Sequence, residues 1–100
     1  MNLSAPTLSH SCHFRIAIGR RLRGARAALG FSQQEMATKL GIARQTLAGY
    51  ENGHCEPLSS LLALLCEDFG LNPSWLLIGD NNTPMFVPGT ETATFRRAAS

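Results

Sequence analysis

Arg44 and Gln45 are neighbours in a short stretch that also carries Leu47 and Tyr50 at helical spacing. A guanidinium and a primary amide each offer two hydrogen-bonding groups in one plane. On the open flank of a helix, arginine pairs bidentately with O6 and N7 of guanine, and glutamine with N6 and N7 of adenine. The stretch from Gly30 to Gly53 reads as two short helices joined by a tight turn at Gly41, the second helix gripped by a core on its apolar side. That arrangement suits a reader of the DNA major groove.

Other reactive residue types form no such set. There is no Gly-rich phosphate loop, the seven carboxylates make no evident active pair, and Ser, Cys and His fall in the terminal segment, a turn or the core. The chain is therefore not expected to be an enzyme. His10, Cys12, His13, His54 and Cys55 are metal-ligand types, but His10-x-Cys12-His13 does not match the usual zinc spacings and His54-Cys55 lies some forty residues away. No metal and no cofactor is expected. Cys12, Cys55 and Cys66 are odd in number and irregularly spaced, which fits a reducing cytoplasm, with nucleoid association following from DNA binding. No apolar run approaches transmembrane length, and the N-terminus lacks the pattern of a secretory signal.

The reading helix needs neighbours to hold it. Phe14, Ile18, Leu22, Ala25 and Leu29 recur at steps of four, four, three and four, drawing one apolar stripe for helix 1, which Gly30 ends. Ser32 and Glu35 make a capping box at the start of helix 2, whose inward face is Met36, Ala37 and Leu40. Helix 3 is expected over residues 43–52, with Leu47 and Tyr50 inward and Asn52-Gly53 as its stop. Leu58, Leu61, Leu62, Leu65, Cys66 and Phe69 give helix 4 a broad apolar face, with Cys66 as a small core residue. Asn72 caps helix 5, Pro73 opens it and Gly79 closes it. The domain is expected over residues 14–79, between a flexible arm at 1–13 and a tail at 80–100 that is either disordered or a dimerisation element.

Composition agrees. One hundred residues with 44% apolar and 16% charged side chains describe one compact domain. The formal charge is only +2, but it is unevenly placed: seven basic residues face two acidic ones between Phe14 and His54. The positive field thus falls on the stretch from Phe14 to His54 that contains the paired helices, as a phosphate-backbone contact requires.

The ordered set Arg26, Gly30, Ser32-Gln33, Glu35, Ala37, Gly41, Leu47, Glu51-Asn52-Gly53, Pro57, Leu62, Leu65, Leu71, Trp75-Leu76-Leu77 and Gly79 resembles the lambda-repressor-like Cro/C1 (XRE) helix-turn-helix family. The resemblance implies an all-α, five-helix DNA-binding domain with helix 3 in the major groove. It also implies a homodimer on a near-palindromic operator. At matching positions it makes Arg44, Gln45, Ala48 and Gly49 the base-facing residues and places the Gln33 side chain on a phosphate. Thr46, Asn52 and Arg23 are expected on the same backbone. Arg26 and Glu51 resemble the family's structural ion pair between helices 1 and 3. Three features depart from the family: Gly49 has no side chain, His54-Cys55-Glu56 lacks a basic residue, and Ala43 replaces a Ser or Thr cap.

The expected function is a transcription regulator that represses by occupying a promoter, with no large effector-binding or self-cleaving domain in the roughly twenty residues after Gly79. Trp75, Leu76, Leu77, Ile78 and Met85-Phe86-Val87 are candidates for the dimer surface, Trp75 and Leu76 being better suited to the core. Two alternatives stay open. One is a protein-binding module, an antitoxin or an anti-repressor, with a toxin or anti-repressor as the protein partner; the other is a scaffold that kept the fold without DNA affinity.

Overall fold

The structure is a computed structural model that describes the backbone of residues 4–88 and the side chains of residues 13–88. Among the described residues five helices follow one another: α1 (Ser4–Leu29), α2 (Gln33–Leu40), α3 (Arg44–Glu51), α4 (Ser59–Phe69) and α5 (Ser74–Ile78), the last wound as a π-helix. The described residues contain no strand, so the protein is all-α, as its periodicity predicts. The chain divides into two compact units between Glu56 and Pro57.

In the first unit α3 is the shared element, packed by α1 and by α2. Ile18, Leu22 and Ala25 of α1, Met36, Ala37 and Leu40 of α2, and Leu47 and Tyr50 of α3 are buried, each on the face its spacing predicts. Phe14 and Leu29, at the ends of the α1 stripe, are only half-buried. The start of α1 differs from expectation. The helix begins at Ser4, well before Phe14, so residues 4–13 of the expected flexible arm are helical, while residues 1–3 lie outside the described residues. Pro6 sits in the first turn, where its missing N–H has no intrahelical partner to lose, and no glycine follows until Gly19. A continuous helix needs no stripe where nothing breaks it.

Gly19 makes possible the close approach of α1 to α3. A Cβ built there would overlap the carbonyl oxygen of Tyr50 and lie 2.7 Å from that of Glu51. Gly53 performs a similar task just beyond α3: it adopts φ +78°, and a Cβ on it would stand 3.0 Å from Cγ1 of Ile16.

In the second unit Leu61, Leu62, Leu65 and Phe69 of α4 are buried together with Leu71 and Leu76. Leu58 does not join that face: it is the N-cap residue of α4, in extended backbone, and is 64% exposed. Asn72, just before Pro73 at the N-cap of α5, accepts the amide of Ser74 on its Oδ1 at 3.0 Å. Cys66 is half-buried, and burial first, then the charge of Glu67, pushes its thiol up, which makes it a poor nucleophile.

The segment after Asp80 is ordered by a turn. Asp80 accepts the amide of Asn82 on its carboxylate at 2.9 Å and the hydroxyl of Thr83 on its carbonyl at 2.8 Å. The returning chain pairs with the α4–α5 link as an isolated antiparallel bridge between Leu71 and Phe86. Asn72 donates to Met85 and Val87 donates to Gly70, both at 2.8 Å. Met85-Phe86-Val87 is thus held by backbone bonds supplied from the α4–α5 link, which its own length does not reveal. The remainder of the expected tail, residues 89–100, lies outside the described residues.

Candidate nucleic-acid interface

The paired helices begin with the capping box. Ser32 Oγ accepts the Glu35 amide at 3.1 Å, and Glu35 Oε1 accepts the Ser32 amide at 2.8 Å. The bond from the Ser32 amide, then one from the Ser32 hydroxyl, holds the Glu35 carboxyl below its ordinary range. Gly41 ends α2 in the left-handed region at φ 72°, and its amide and that of Ile42 turn back onto the last carbonyls of α2. Ala43 then starts α3 in extended backbone with no side-chain cap, so packing rather than capping fixes its first turn.

On α3, Leu47, Tyr50 and Glu51 are buried, while Arg44, Gln45 and Thr46 are exposed and Ala48 and Gly49 half-buried. The four expected base-facing residues therefore share a face away from the core-facing residues. Gly49 leaves space there: a Cβ on it would meet only Cys55 Sγ, at 3.7 Å.

The buried side of α3 ends in a charge network. Glu51 is the buried charged residue among the described ones, and its side chain is fully enclosed. Arg26 grips it with two bonds, Nε to Oε2 at 2.7 Å and Nη2 to Oε1 at 3.1 Å. The remaining Nη1 donates to the Phe31 carbonyl at 2.9 Å, tying the α1–α2 link to the same guanidinium. Burial alone would push the Glu51 carboxyl up. The bonds from Arg26 and Gln33, the Arg26 charge and the bond from Arg23 together outweigh it and leave the carboxyl below its ordinary range. Arg26 is held above its own, chiefly by its bond to Glu51.

Two residues expected on phosphates are drawn into this network. Arg23, about half-exposed, reaches Glu51 Oε1 with Nε at 3.5 Å and donates from Nη2 to Asn52 Oδ1 at 2.8 Å. A third, Gln33, donates its amide nitrogen to Glu51 Oε1 at 3.0 Å and accepts Arg44 Nη1 on its oxygen at 3.3 Å. Thr46 is exposed on the first turns of α3. Sequence reading did not bring Gly19, Arg23 and Arg26 together as one flank of α1, although their i, i+4, i+7 spacing does so. A glycine inside a helical pattern was the available signal, since it costs about 1 kcal/mol against alanine unless packing needs it.

His10 and Cys12 have side chains outside the described residues; within the described ones no three of His, Cys, Asp and Glu cluster as for a metal ion. No helix among the described residues is long and apolar enough to cross a membrane.

A short helix pinned from behind, with a glycine-turned partner before it and planar polar side chains in front, defines a helix-turn-helix domain. A helix-turn-helix family model matches residues 22–76. The chain belongs to that family, the Cro/C1 (XRE) type of helix-turn-helix. It is 43% identical over 61 residues to the SPbeta prophage-derived uncharacterized HTH-type transcriptional regulator YonR of Bacillus subtilis (strain 168), covering 61% of this chain and 56% of that protein. It is 32% identical over 62 residues to the HTH-type transcriptional regulator ImmR of the same organism, covering 62% and 49%. Against the HTH-type transcriptional regulator DicA of Escherichia coli (strain K12) the identity is 31% over 67 residues, covering 67% and 50%. The chain thus spans about half the length of these relatives. No solved structure matches it.

Proposed function

We propose that the protein is a sequence-specific DNA-binding transcription regulator that inserts α3 in the major groove and represses by occupying a promoter as a homodimer. The observation that carries this reading is the two-sidedness of α3: Leu47, Tyr50 and Glu51 are locked into the core, while Arg44, Gln45 and Thr46 face solvent. Arg44 reads guanine and Gln45 adenine through paired bonds. Ala48 and Gly49 admit the groove wall, and the missing side chain at Gly49 lets DNA shape contribute. Phosphates on either side meet the first-turn amides of α2, at the positive end of its dipole, together with Thr46, Asn52 and the outer edge of Arg23.

The experiment is Arg44→Ala on a selected operator and on a scrambled duplex of equal length. Loss of a bidentate base contact should weaken operator binding by roughly 10- to 100-fold, equivalent to about 1–3 kcal/mol, and barely change the scrambled duplex. Equal losses on both would reduce Arg44 to a phosphate anchor.

A near-palindromic operator needs two copies of α3 about 34 Å apart, one helical turn of DNA. Of the candidate dimer residues, Leu76 is fully buried and drops out, and Trp75, Met85, Phe86 and Val87 are half-buried. Leu77 and Ile78 remain, 39% and 76% exposed. Leu77 edges an open apolar groove of about 360 Å³ lined also by Leu62, Ala63, Cys66 and Pro73. An exposed apolar patch of this kind suits a second copy. Ile78→Asp should leave the fold intact, shift sedimentation toward monomer and weaken binding to a two-half-site operator more than to one half-site. An unchanged dimer would place the interface elsewhere.

A further inference from the structure

We propose that Arg15 of α1 is a phosphate-binding residue that grips the DNA backbone beyond the C-terminal end of α3. This rests on the reading that α3 enters the major groove. A protein held on a duplex needs donors or cations against the phosphates flanking its reading helix. The link that follows α3 supplies few of its own. Its side chains at His54, Cys55 and Glu56 include no lysine or arginine. Its amides are already used: Gly53 donates to the Tyr50 carbonyl at 3.1 Å, His54 to that of Gly49 at 2.9 Å and Cys55 to the same Gly49 oxygen at 3.4 Å. A phosphate on that side must be met from another element.

That element is α1. Its backbone at Ile16 lies against the start of the link, with Cα and N at 3.1 and 3.4 Å from where a Cβ on Gly53 would stand. Arg15, Gly19 and Arg23 follow at steps of four on one flank of the helix. Gly19 packs on the Tyr50 and Glu51 carbonyls, and Arg23 reaches Glu51 and Asn52. Arg15 therefore starts a row that runs along the end of α3. Arg23 and Arg26 both give their charge to Glu51, whereas Arg15 makes no ion pair with a described residue. Its Nε is enclosed and has no hydrogen-bond partner among the described residues. A half-buried guanidinium left in that state weakens the fold and gains most from an anion. A phosphodiester supplies what it lacks, one negative charge shared by two oxygens that match a guanidinium edge.

The test compares the full wild-type chain with Arg15→Met, which keeps an apolar stem and removes the charge. Both are measured over a range of salt on a site selected from random duplexes and on a scrambled duplex. Arg15→Gln serves if Arg15→Met does not fold by circular dichroism. Arg15→Met should weaken both duplexes by the same factor, with a slope of log affinity against log salt shallower by about 0.9. Between about 50 and 200 mM salt, the wild-type affinity should then fall about 3.5-fold more than that of the variant. Replacing single phosphates of the selected site by uncharged methylphosphonates should reveal one position per half-site that weakens the wild type and leaves Arg15→Met no weaker. The variant should melt no lower than the wild type, since it loses no bond within the fold. A lower melting point with an unchanged salt slope would make Arg15 a structural residue and overturn the proposal. So would a loss confined to the selected site, or methylphosphonate effects equal in the two chains at every position. A wild-type chain that selects no site overturns the major-groove reading as well, whereas a selected site bound by Arg15→Met with the wild-type salt slope overturns this inference alone.

Discussion

Glu51→Gln is expected to destabilise the protein by about 3–5 kcal/mol, the cost of leaving a buried charge without its partner. The side chain is fully enclosed, and two arginines and an amide converge on it. The neutral amide keeps the shape but offers a donor toward donors, so Arg26, itself only 17% exposed, loses its counter-charge. In a domain of this size that corresponds to a fall in melting temperature of roughly 12 °C or more. Thermal unfolding by circular dichroism measures it, and a melting point near the wild-type value would show that the pair does not hold the fold. The pH dependence has a definite sign. The folded carboxyl lies below its unfolded value of about 4.3, so its contribution is complete above that value and is lost as pH falls through the folded one. The gap between wild type and Glu51→Gln should therefore be widest near neutrality and shrink in acid.

Two glycines of one helix should respond in opposite directions. Gly19→Ala places a methyl on the carbonyl oxygen of Tyr50 and 2.7 Å from that of Glu51. Both are backbone atoms in the last turn of α3 and cannot swing aside. The helices must separate, at an overpacking cost of about 3 kcal/mol that outweighs the gain of about 1 kcal/mol in helix propensity. Gly24, five residues on, has nothing within 4 Å of where its Cβ would stand. Gly24→Ala should be stabilising by roughly 0.5–1 kcal/mol. Urea unfolding of the pair checks this, and Gly19→Ala as stable as Gly24→Ala would refute the close approach. Because Gly19 sits behind Glu51, the damaging variant should also weaken operator binding.

The features legible in the sequence are those written in local chemistry. Ser32 and Glu35 announce their capping box three residues apart, Gly41 its left-handed turn, and the steps of three and four from Ile18 to Ala25 their burial. The exposed flank of α3 follows from the same periodicity, since placing Leu47 and Tyr50 inward leaves Arg44 and Gln45 outward. Features that depend on which atoms meet across the fold are not so written. The need for Gly19 arises only from the Tyr50 and Glu51 carbonyls, some thirty residues away. Gln33 reads as a polar first-turn residue until Glu51 stands beside it. Leu58 looks apolar and inward, yet it falls in the cap position where the backbone is still extended. The bridge between Leu71 and Phe86 depends on the Asp80 turn, whose Asp-Asn-Asn-Thr-Pro run signals a reversal but not what it will meet.

The proposed function turns on an α3 face that reads base edges. Selection of duplexes from a random pool by the wild-type chain tests it most directly. A short two-fold-symmetric site should emerge, with a guanine in each half-site whose preference disappears in Arg44→Ala. A pool left unenriched even at low ionic strength, by a chain that is folded, would contradict it.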